Sequence, residues 1–229
     1  MKKVFYMLLC VASVALIGCK KDNNEPEPDQ KESVHEYVDL GLSVKWATMN
    51  VGATTPEGAG DYFAWGETTA KSTYSWSNYT LCNGSKTTMT KYCESSDYGT
   101  VDNKTTLDPE DDAAHVNWGG NWRMPTKAEQ DELRDNCTWT PTTENGVNGF
   151  RVTSNKEGYT DKSIFLPAAG ARDQSDLYYA DLYSYYLSSS LNELNSYCAY
   201  NLSFNFDSGV VGFERYDRYY GLSVRAVCP

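Results

Sequence analysis

Alternating apolar residues in the C-terminal stretch, residues 177–229, restrict this part of the chain to β-strands. The alternation runs through Leu202 and Phe204 and returns at Leu222 and Val224. Because successive side chains of a strand point to opposite faces, this pattern predicts strands with one face in a core. The same stretch holds ten of the eighteen tyrosines of the chain.

The positions between these apolar residues are filled mainly by Tyr, Ser, Asn and Asp. These residue types dominate antibody-like binding surfaces, where tyrosine gives a large contact area at low entropic cost and Ser and Asn form adaptable hydrogen bonds. A β-rich domain whose exposed strands happen to be rich in tyrosine would have the same composition. The sequence therefore leaves two interpretations open, a dedicated binding face and an ordinary tyrosine-rich sheet.

Residues 1–19 have the pattern of a lipoprotein signal peptide. Lys2 and Lys3 precede an apolar run, residues 4–17, that is too short to span a bilayer comfortably. The run ends in Leu-Ile-Gly-Cys, which resembles the bacterial lipobox, and Cys19 would become the acylated first residue of the mature protein. An ordinary signal peptide with an incidental cysteine is the alternative.

Residues 20–33 are expected to form a flexible tether. The segment has two prolines and no large apolar residue, so it cannot bury enough surface to offset the entropy of ordering. Its lysines followed by acidic residues resemble the export signal that sends Bacteroidetes lipoproteins to the outer face of the outer membrane, and a plain solvated linker is the alternative. Residues 34–229 are then left for one well-packed domain.

The charge of the chain argues against nucleic acid and anionic lipid as partners. The formal net charge is −11 and the pI is near 4.6, whereas phosphate binding needs clusters of Lys and Arg. The lipid anchor is therefore expected to be the only contact with the membrane. Two histidines, His35 and His115, leave little material for general base catalysis or a histidine metal site, and no cofactor is expected.

Five cysteines belong to the predicted domain, and in an exported protein they could form disulfides. We expect Cys82 to pair with Cys93 and Cys198 with Cys228, which leaves Cys137 free. No Cys-x-x-Cys pair occurs, and this lowers the expectation of a zinc or thioredoxin-type site.

The N-terminal half of the domain predicts short strands and long loops. Residues 36–53 alternate in hydrophobicity and are expected to form two strands around a turn or bulge at Gly41. Residues 59–68 place three aromatic residues between glycines, which suits a loop folded back on a core. Residues 69–107 lack any clear period and predict a long loop region.

Two helices are predicted in the middle of the chain. Asp108 would be the N-cap of the first, with Pro109 at its first position and Gly119 at its end. A capping box, threonine at the N-cap and glutamate at N3, opens the second helix over residues 126–136, with Leu133 pointing inward.

Further strands are predicted at residues 149–153 and 163–167, and the small residues at 168–171 indicate close packing of backbones. Arg123 is expected to pair with a carboxylate. Two short helices with many short strands and irregular loops predict an α+β domain.

Four segments together resemble a known family. They read WGGNWRMPTKAEQDEL, IFLPAAGAR, YYLSSS and GLSVRAV. They are similar to the Fibrobacter succinogenes major paralogous domain of Bacteroidetes surface lipoproteins, which has the C-type-lectin-like fold of the formylglycine-generating enzymes. The resemblance runs from about Tyr37 to Val227. It implies two helices, a small central antiparallel sheet that brings the chain ends together, and a long loop region carrying the ligand face.

The C-terminal block is also similar to the variable proteins of diversity-generating retroelements, which diversify a C-terminal segment ending in a Gly-x-Ser-Val-Arg-like strand. Adenine-directed mutation of Asn codons yields Asn, Tyr, Asp and Ser, and these residue types fill residues 178–220. The resemblance implies framework positions at Ser188, Ser189, Ala199, Tyr200, Leu202, Phe204, Gly221, Ser223, Val224, Arg225 and Val227. The ligand-binding positions that it implies are Tyr183, Tyr185, Asn192, Glu193, Asn195, Tyr197, Glu214, Tyr216, Asp217 and Tyr219.

Departures from these relatives weaken the expectation of two activities, formylglycine generation and calcium-dependent sugar binding. Formylglycine-generating enzymes need a closely spaced cysteine pair near the C-terminus, and Cys198 and Cys228 are far apart in sequence. Calcium-dependent lectins carry Glu-Pro-Asn or Gln-Pro-Asp with Trp-Asn-Asp in the domain. Here Glu-Pro-Glu occurs at residues 25–27, in the tether, and Trp-Asn-Asp is missing.

The residues give only weak support for calcium binding or for a serine nucleophile. The carboxylates of residues 108–112 could hold calcium, but they lack EF-hand spacing and helix capping explains at least two of them. The serines at 188–190 lack a nucleophile-elbow context.

Two functional hypotheses of different class follow. The first is a non-catalytic surface lipoprotein, anchored in the outer membrane and facing the cell exterior, that binds a protein or glycan through the C-terminal face; a diversified receptor is its narrower form. The second is an enzyme or enzyme accessory on the lectin-like scaffold, because a fold alone never fixes function. A structural subunit of a surface fimbria is a third.

Overall fold

The computed structural model describes residues 35–229. The predicted signal peptide, the lipobox cysteine Cys19 and the tether lie outside these residues. The described residues form a mixed α+β arrangement of two α-helices and several small antiparallel sheets. The predicted α+β class is therefore confirmed at this level.

Short strands account for most of the regular structure. They form three-stranded sheets in the orders β1-β2-β11, β3-β4-β5 and β10-β9-β8, and a two-stranded sheet β6-β7. The strands are β1 (Tyr37–Val38), β2 (Lys45–Ala47), β3 (Cys137–Glu144), β4 (Val147–Ser154), β5 (Ser163–Pro167), β6 (Ala171–Asp173), β7 (Asp176–Tyr178), β8 (Tyr183–Leu191), β9 (Cys198–Asn205), β10 (Val211–Asp217) and β11 (Val227–Cys228).

The first helix begins later than predicted. Pro109–Asp111 forms a 3-10 turn with Asp108 before it, and the α-helix α1 spans Ala113–Trp118. Asp112 is its N-cap, because the carboxylate accepts a hydrogen bond of 2.9 Å from the backbone N–H of His115. The segment thus divides into a 3-10 turn, which Asp108 precedes without a side-chain capping hydrogen bond, and a short α-helix that Asp112 caps.

The second helix, α2 (Lys127–Asn136), confirms the sequence prediction. The Thr126 hydroxyl accepts from the Glu129 N–H at 3.2 Å, and the Glu129 carboxylate accepts from the Thr126 N–H at 2.8 Å. Leu133 points into the core, and Arg123 forms two hydrogen bonds to Glu129 at 2.5 and 2.8 Å.

The β10-β9-β8 sheet separates two hydrophobic clusters. Tyr185 and Leu187 of β8 belong to one cluster, and Tyr186 between them belongs to the other, together with Leu202 and Phe204 of β9. Both faces of β8 are therefore covered. The alternation through Leu202 and Phe204 predicted β9 correctly, but it predicted only one covered face for the strands of this stretch.

The long region before α1 packs as an irregular layer. Within residues 62–107 the chain forms a 3-10 turn, Trp76–Asn78, and isolated bridges, as expected from its lack of period. Its aromatic residues Tyr62, Tyr74 and Tyr79 are buried in a third hydrophobic cluster. This layer lies against the C-terminal residues, because the Phe63 N–H donates to the Leu222 carbonyl at 2.9 Å.

Candidate ligand-binding surface

A continuous row of aromatic rings links β7, β8, β10 and the segment that follows β10. Neighbouring ring centres are between 4.5 and 6.2 Å apart, within the distance at which aromatic pairs attract each other. We call this row the tyrosine stripe. In order of contact it consists of Tyr178, Tyr179, Tyr183, Tyr185, Tyr216, Tyr220, Tyr219 and Trp76.

The centre of the stripe is the contact between Tyr185 and Tyr216, whose ring centres are 4.7 Å apart. The two residues lie on β8 and β10, on either side of β9. Tyr185 is opposite Ser203 and Tyr216 is opposite Ala199, so both rings stand over small β9 side chains on one face of the sheet. Small residues on the central strand therefore allow rings from the two outer strands to meet.

Exposure changes along the stripe. Tyr185 is only 3% exposed, whereas Tyr178 and Tyr179 are 44% and 56% exposed. Tyr183 and Tyr216 are half-buried. The stripe is therefore anchored in the core at Tyr185, and its free contact area lies at the β7 end.

The phenols of Tyr185, Tyr216 and Tyr219 are neutral hydrogen-bonding groups at physiological pH. Burial raises the pKa of Tyr216, and burial together with a neighbouring phenol raises the pKa of Tyr185 and of Tyr219. Burial also raises the pKa of Asp217 at the end of β10, whose carboxylate accepts a hydrogen bond from the Cys198 thiol.

Gly170 holds the exposed end of the stripe in position. Its φ is +70°, and an added Cβ would lie 2.2 Å from the carbonyl oxygen of Tyr178 and 2.8 Å from the Ala180 nitrogen. Only glycine fits both the conformation and the space. The close packing of backbones predicted for residues 168–171 is thus found directly beneath Tyr178 and Tyr179.

The structure distributes the predicted ligand-binding residues over several places. Four of them, Tyr183, Tyr185, Tyr216 and Tyr219, join the stripe. Asn195 and Tyr197 lie apart with Tyr98, whose hydroxyl donates to the Asn195 amide oxygen at 3.0 Å and whose ring is 5.2 Å from that of Tyr197. Glu193 is exposed in the connection between β8 and β9.

Asn192 and Glu214 border a separate open pocket of about 420 Å³. Asn192 is buried, and its amide oxygen accepts from the Leu194 and Asn195 N–H groups at 3.1 Å. It therefore shapes a turn and offers little surface to a ligand. The same is true of Tyr185, which is also buried. The pocket is lined by Asn192, Leu194, Tyr200, Phe213, Glu214 and Arg215.

The predicted framework positions are buried, apart from Tyr200, which is half-buried. Arg225 among them is enclosed completely. Its guanidinium donates to Asn50 Oδ1, the Ala47 carbonyl and the Phe165 carbonyl at 2.9 to 3.0 Å, and burial lowers its pKa to about 10. The arginine of the GLSVRAV segment thus joins three separate parts of the chain.

Sequence reasoning missed Arg218, a second buried arginine, directly after β10. It donates to the carbonyls of Lys91, Tyr92 and Ser196 at 3.0 to 3.1 Å and to the Tyr79 hydroxyl at 2.7 Å. It lies between Asp217 and Tyr219 and so fixes the C-terminal part of the stripe. The sequence signal that could have indicated this buried arginine was its position among the tyrosines of residues 216–220.

The acidic segment 108–112 is engaged in capping and ion pairs. Lys91 contacts Asp108 at 2.7 Å and Asp111 at 2.5 Å, and Lys104 contacts Asp108 at 2.5 Å. Asp112 accepts from the backbone of α1 and from the Met124 N–H. Within residues 35–229 no group of three or more His, Cys, Asp or Glu side chains is placed to hold a metal ion.

The serines and histidines considered for catalysis are separate. Ser188 is buried and donates to the Tyr200 carbonyl at 2.8 Å. The His35 ring stacks on Trp118 at 3.9 Å, and His115 Nδ1 lies 3.2 Å from the Trp122 carbonyl. These contacts place neither histidine against Ser188.

The expected disulfides are not formed. The cysteines of the described residues, Cys82, Cys93, Cys137, Cys198 and Cys228, are all free and buried. Cys82 and Cys93 belong to the third hydrophobic cluster. Cys198 and Cys228 lie on strands of different sheets, β9 and β11. The thiols thus act as small apolar core residues, a role common for buried cysteine.

Comparison with protein-family models, with curated proteins and with solved structures gave no match to this chain. Among the described residues, no helix is both long and apolar enough to cross a bilayer.

Proposed function

We propose that this protein is a non-catalytic surface-binding module and that the tyrosine stripe is its ligand-contacting surface. The observation that carries this proposal is the continuity of the stripe, which leads from buried Tyr185 to the exposed rings of Tyr178 and Tyr179. Rigid tyrosines offer large contact area at low entropic cost, and a buried base holds them in position. The ligand is a protein or a glycan.

The finer fold proposal is a C-type-lectin-like domain of the Fibrobacter succinogenes major paralogous type. It is supported by the two helices, by the antiparallel pairing of β2 with β11 and by the long irregular layer over residues 62–107. It also agrees with the burial of the segments that carry the resemblance, including Leu166 and Val227.

The proposed location is the outer membrane, with the domain held outside the cell by a lipid on Cys19 and the tether that follows. Replacing Cys19 by Ser should release the protein from the membrane fraction without changing the melting temperature of the domain. A variant that stays in the membrane fraction would contradict the anchor.

The binding proposal is tested by the double variant Tyr178→Ala and Tyr179→Ala. Wild type and variant are screened against arrays of glycans and of purified surface proteins. Tyr37→Ala is the matched control, since Tyr37 is 51% exposed and lies on β1, outside the stripe. We expect ligands to be lost in the double variant and retained in the control, with melting temperatures unchanged. Equal binding by all three proteins would contradict the proposal.

The narrower proposal, a diversified receptor, is tested by deep sequencing of the gene's 3′ end from many cells of one population. Substitutions at adenines should concentrate in codons for exposed residues such as Tyr178, Tyr179 and Glu214, and should spare buried Tyr185. A uniform sequence would favour a fixed binding domain.

A fimbrial subunit is the second candidate, because β10 has a free edge. It pairs with β9 on one side, and no other strand within residues 35–229 pairs with it. Such an edge can accept a strand from another chain. Sedimentation of the purified protein over a range of concentrations tests this alternative: concentration-dependent assembly would favour it, and a monomer throughout would oppose it.

A further inference from the structure

Four carboxylates border the tyrosine stripe. Asp176 lies beside Tyr178, whose hydroxyl is 3.3 Å from its Oδ2. Asp173 lies opposite Asp176 in the β6-β7 pair, and Glu214 and Asp217 lie on β10 on either side of Tyr216, two residues before it and one after it. The four are Asp173, Asp176, Glu214 and Asp217.

None of these four forms an ion pair with a lysine or arginine of the described residues. One carboxylate oxygen of Asp173, Oδ1, is also enclosed and has no hydrogen-bond partner. Several acids elsewhere are paired with cations, as in the contacts of Lys91 and Lys104 with Asp108 and of Arg123 with Glu129. The border of the stripe is therefore a local excess of negative charge.

The nearby cations do not cancel this excess. Arg172 precedes Asp173 on β6, so its side chain points to the opposite face, where it lies 5.0 Å from the Tyr62 ring. Burial raises the pKa of Asp217 by more than Lys86 lowers it. The Lys86 ammonium lies 5.1 Å from the centre of the Tyr197 ring.

Aromatic faces and unpaired carboxylates attract the same kind of group. A ring face attracts cations through its quadrupole, and a carboxylate adds a direct charge and hydrogen-bond acceptors. A neutral glycan could use the rings and donate hydroxyl hydrogen bonds to the carboxylates but would leave their charge uncompensated, and an acidic partner would be repelled. Charge complementarity therefore selects among the ligands that the stripe could take.

We propose that the tyrosine stripe binds a cationic segment of a protein partner, with lysine or arginine side chains lying on Tyr178 and Tyr179 and paired with Asp173 and Asp176. This inference rests on the proposed function, because it names the chemical class of ligand for the same surface. Arginine fits best, since its planar guanidinium can stack on a ring and bind a carboxylate at the same time.

The test uses three probes on the purified full domain: a blocked peptide of alternating glycine and arginine, the same peptide with glutamate in place of arginine, and a neutral linear glucan oligosaccharide. Binding is measured by titration calorimetry and by shifts of the tyrosine ring signals in NMR spectra. We expect only the arginine peptide to bind, with shifts concentrated at Tyr178 and Tyr179.

A variant that removes the negative charges of Asp173 and Asp176 tests whether the ligand is cationic. Asp173→Asn with Asp176→Asn preserves shape and should weaken binding of the arginine peptide about tenfold. The matched control is Asp135→Asn with Asp161→Asn, two exposed acids that pair with Arg134 and Lys162. Raising the salt from about 0.02 M to about 0.5 M should weaken wild-type binding and affect the stripe variant less.

The outcomes separate this inference from the proposed function. If the glucan binds and Tyr178→Ala with Tyr179→Ala abolishes its binding, while the arginine peptide fails to bind, the binding function stands and the cationic ligand is wrong. Unchanged affinity of the arginine peptide for the Asp173 and Asp176 variant would also overturn the inference. If no probe binds in a way that depends on the stripe, both proposals fail.

Discussion

The guanidinium of Arg218 lies 4.7 Å from the centre of the Trp65 ring, and both side chains are buried. Its donors are satisfied by backbone carbonyls, a phenol and the Met89 sulfur, and not by a carboxylate. The irregular layer therefore folds around this cation, and the same residue fixes the stripe next to it. A structural cation thus links the least regular part of the domain to its proposed binding surface.

Replacing Arg218 by Lys should lower the free energy of unfolding by about 3 kcal/mol, because an ammonium cannot reproduce the planar fork that serves four acceptors. Urea denaturation measures the change. Arg215→Lys is the control, since Arg215 is exposed on β10 and its replacement should shift stability by no more than about 0.5 kcal/mol. Equal effects of the two substitutions would contradict the role given to Arg218.

Gly170→Ala should destabilise the domain by roughly 3 kcal/mol, combining the cost of a left-handed conformation with a collision against the Tyr178 carbonyl. Gly84→Ala separates these contributions. Gly84 also has a positive φ, +86°, but an added Cβ there meets nothing within 4 Å. It should therefore lose only about 1 kcal/mol. Equal losses in the two variants, measured by thermal unfolding, would show that the backbone beneath the stripe yields easily.

The cysteines should resist alkylation in the native protein. Burial raises the pKa of Cys137 to about 11, and burial with neighbouring Asp217 raises that of Cys198 to about 12, so few reactive thiolates are present near neutral pH. Mass spectrometry after iodoacetamide treatment should find both unlabelled in the folded protein and labelled in urea without a reducing agent. A cysteine labelled in urea only after reduction would reveal a disulfide.

Stability should fall between about pH 5 and pH 3, partly through Glu129. Burial alone would raise the pKa of its carboxyl, but hydrogen bonds from Arg123 and Thr126 outweigh burial and hold the pKa below its usual value. A pKa that is lower in the folded state gives stability that is present above the unfolded pKa and is lost as the carboxyl is protonated.

Glu129→Gln should therefore make the loss of stability with falling pH shallower, as followed by urea denaturation across this range. Arg123→Met should reduce the slope in the same way, because it removes the partner that lowers the pKa. If the slope of both variants equals that of the wild type, other carboxyls account for the acid sensitivity.

Local signals in the sequence predicted the elements that they encode directly. The capping box at Thr126 needs only residues within one turn, and it fixed the start of α2 correctly. Strand β3 was missed, because Cys137–Glu144 contains Pro141 and four threonines and shows no clear alternation. It forms a hairpin with β4 around Asn145 and Gly146, both with positive φ, and this Asn-Gly pair was a local signal that the alternation of side chains did not carry.

The surface was harder to predict. The resemblance placed Tyr185 among the ligand-binding positions, but Tyr185 belongs to a hydrophobic cluster that includes residues of the irregular layer, and its ring contacts Tyr216 of β10, so the residue is buried. Asn192 was assigned to the ligand by its type, whereas its amide shapes a turn. Tyr178 and Tyr179, the most exposed rings of the stripe, lie on β7 and directly after it, outside the positions that the resemblance implied. Exposure depends on distant chain segments, and residue type alone does not report it.

The pairing of β2 with β11 has a consequence for the synthesis of the protein. Trp46 lies opposite Val227 in this sheet, so β2 lacks this partner until residue 227 has left the ribosome. Contacts of such long sequence separation form late and slowly. A nascent chain that lacks β11 therefore stays open for longer. The topology that closes the domain thus also delays its folding until β11 has been made.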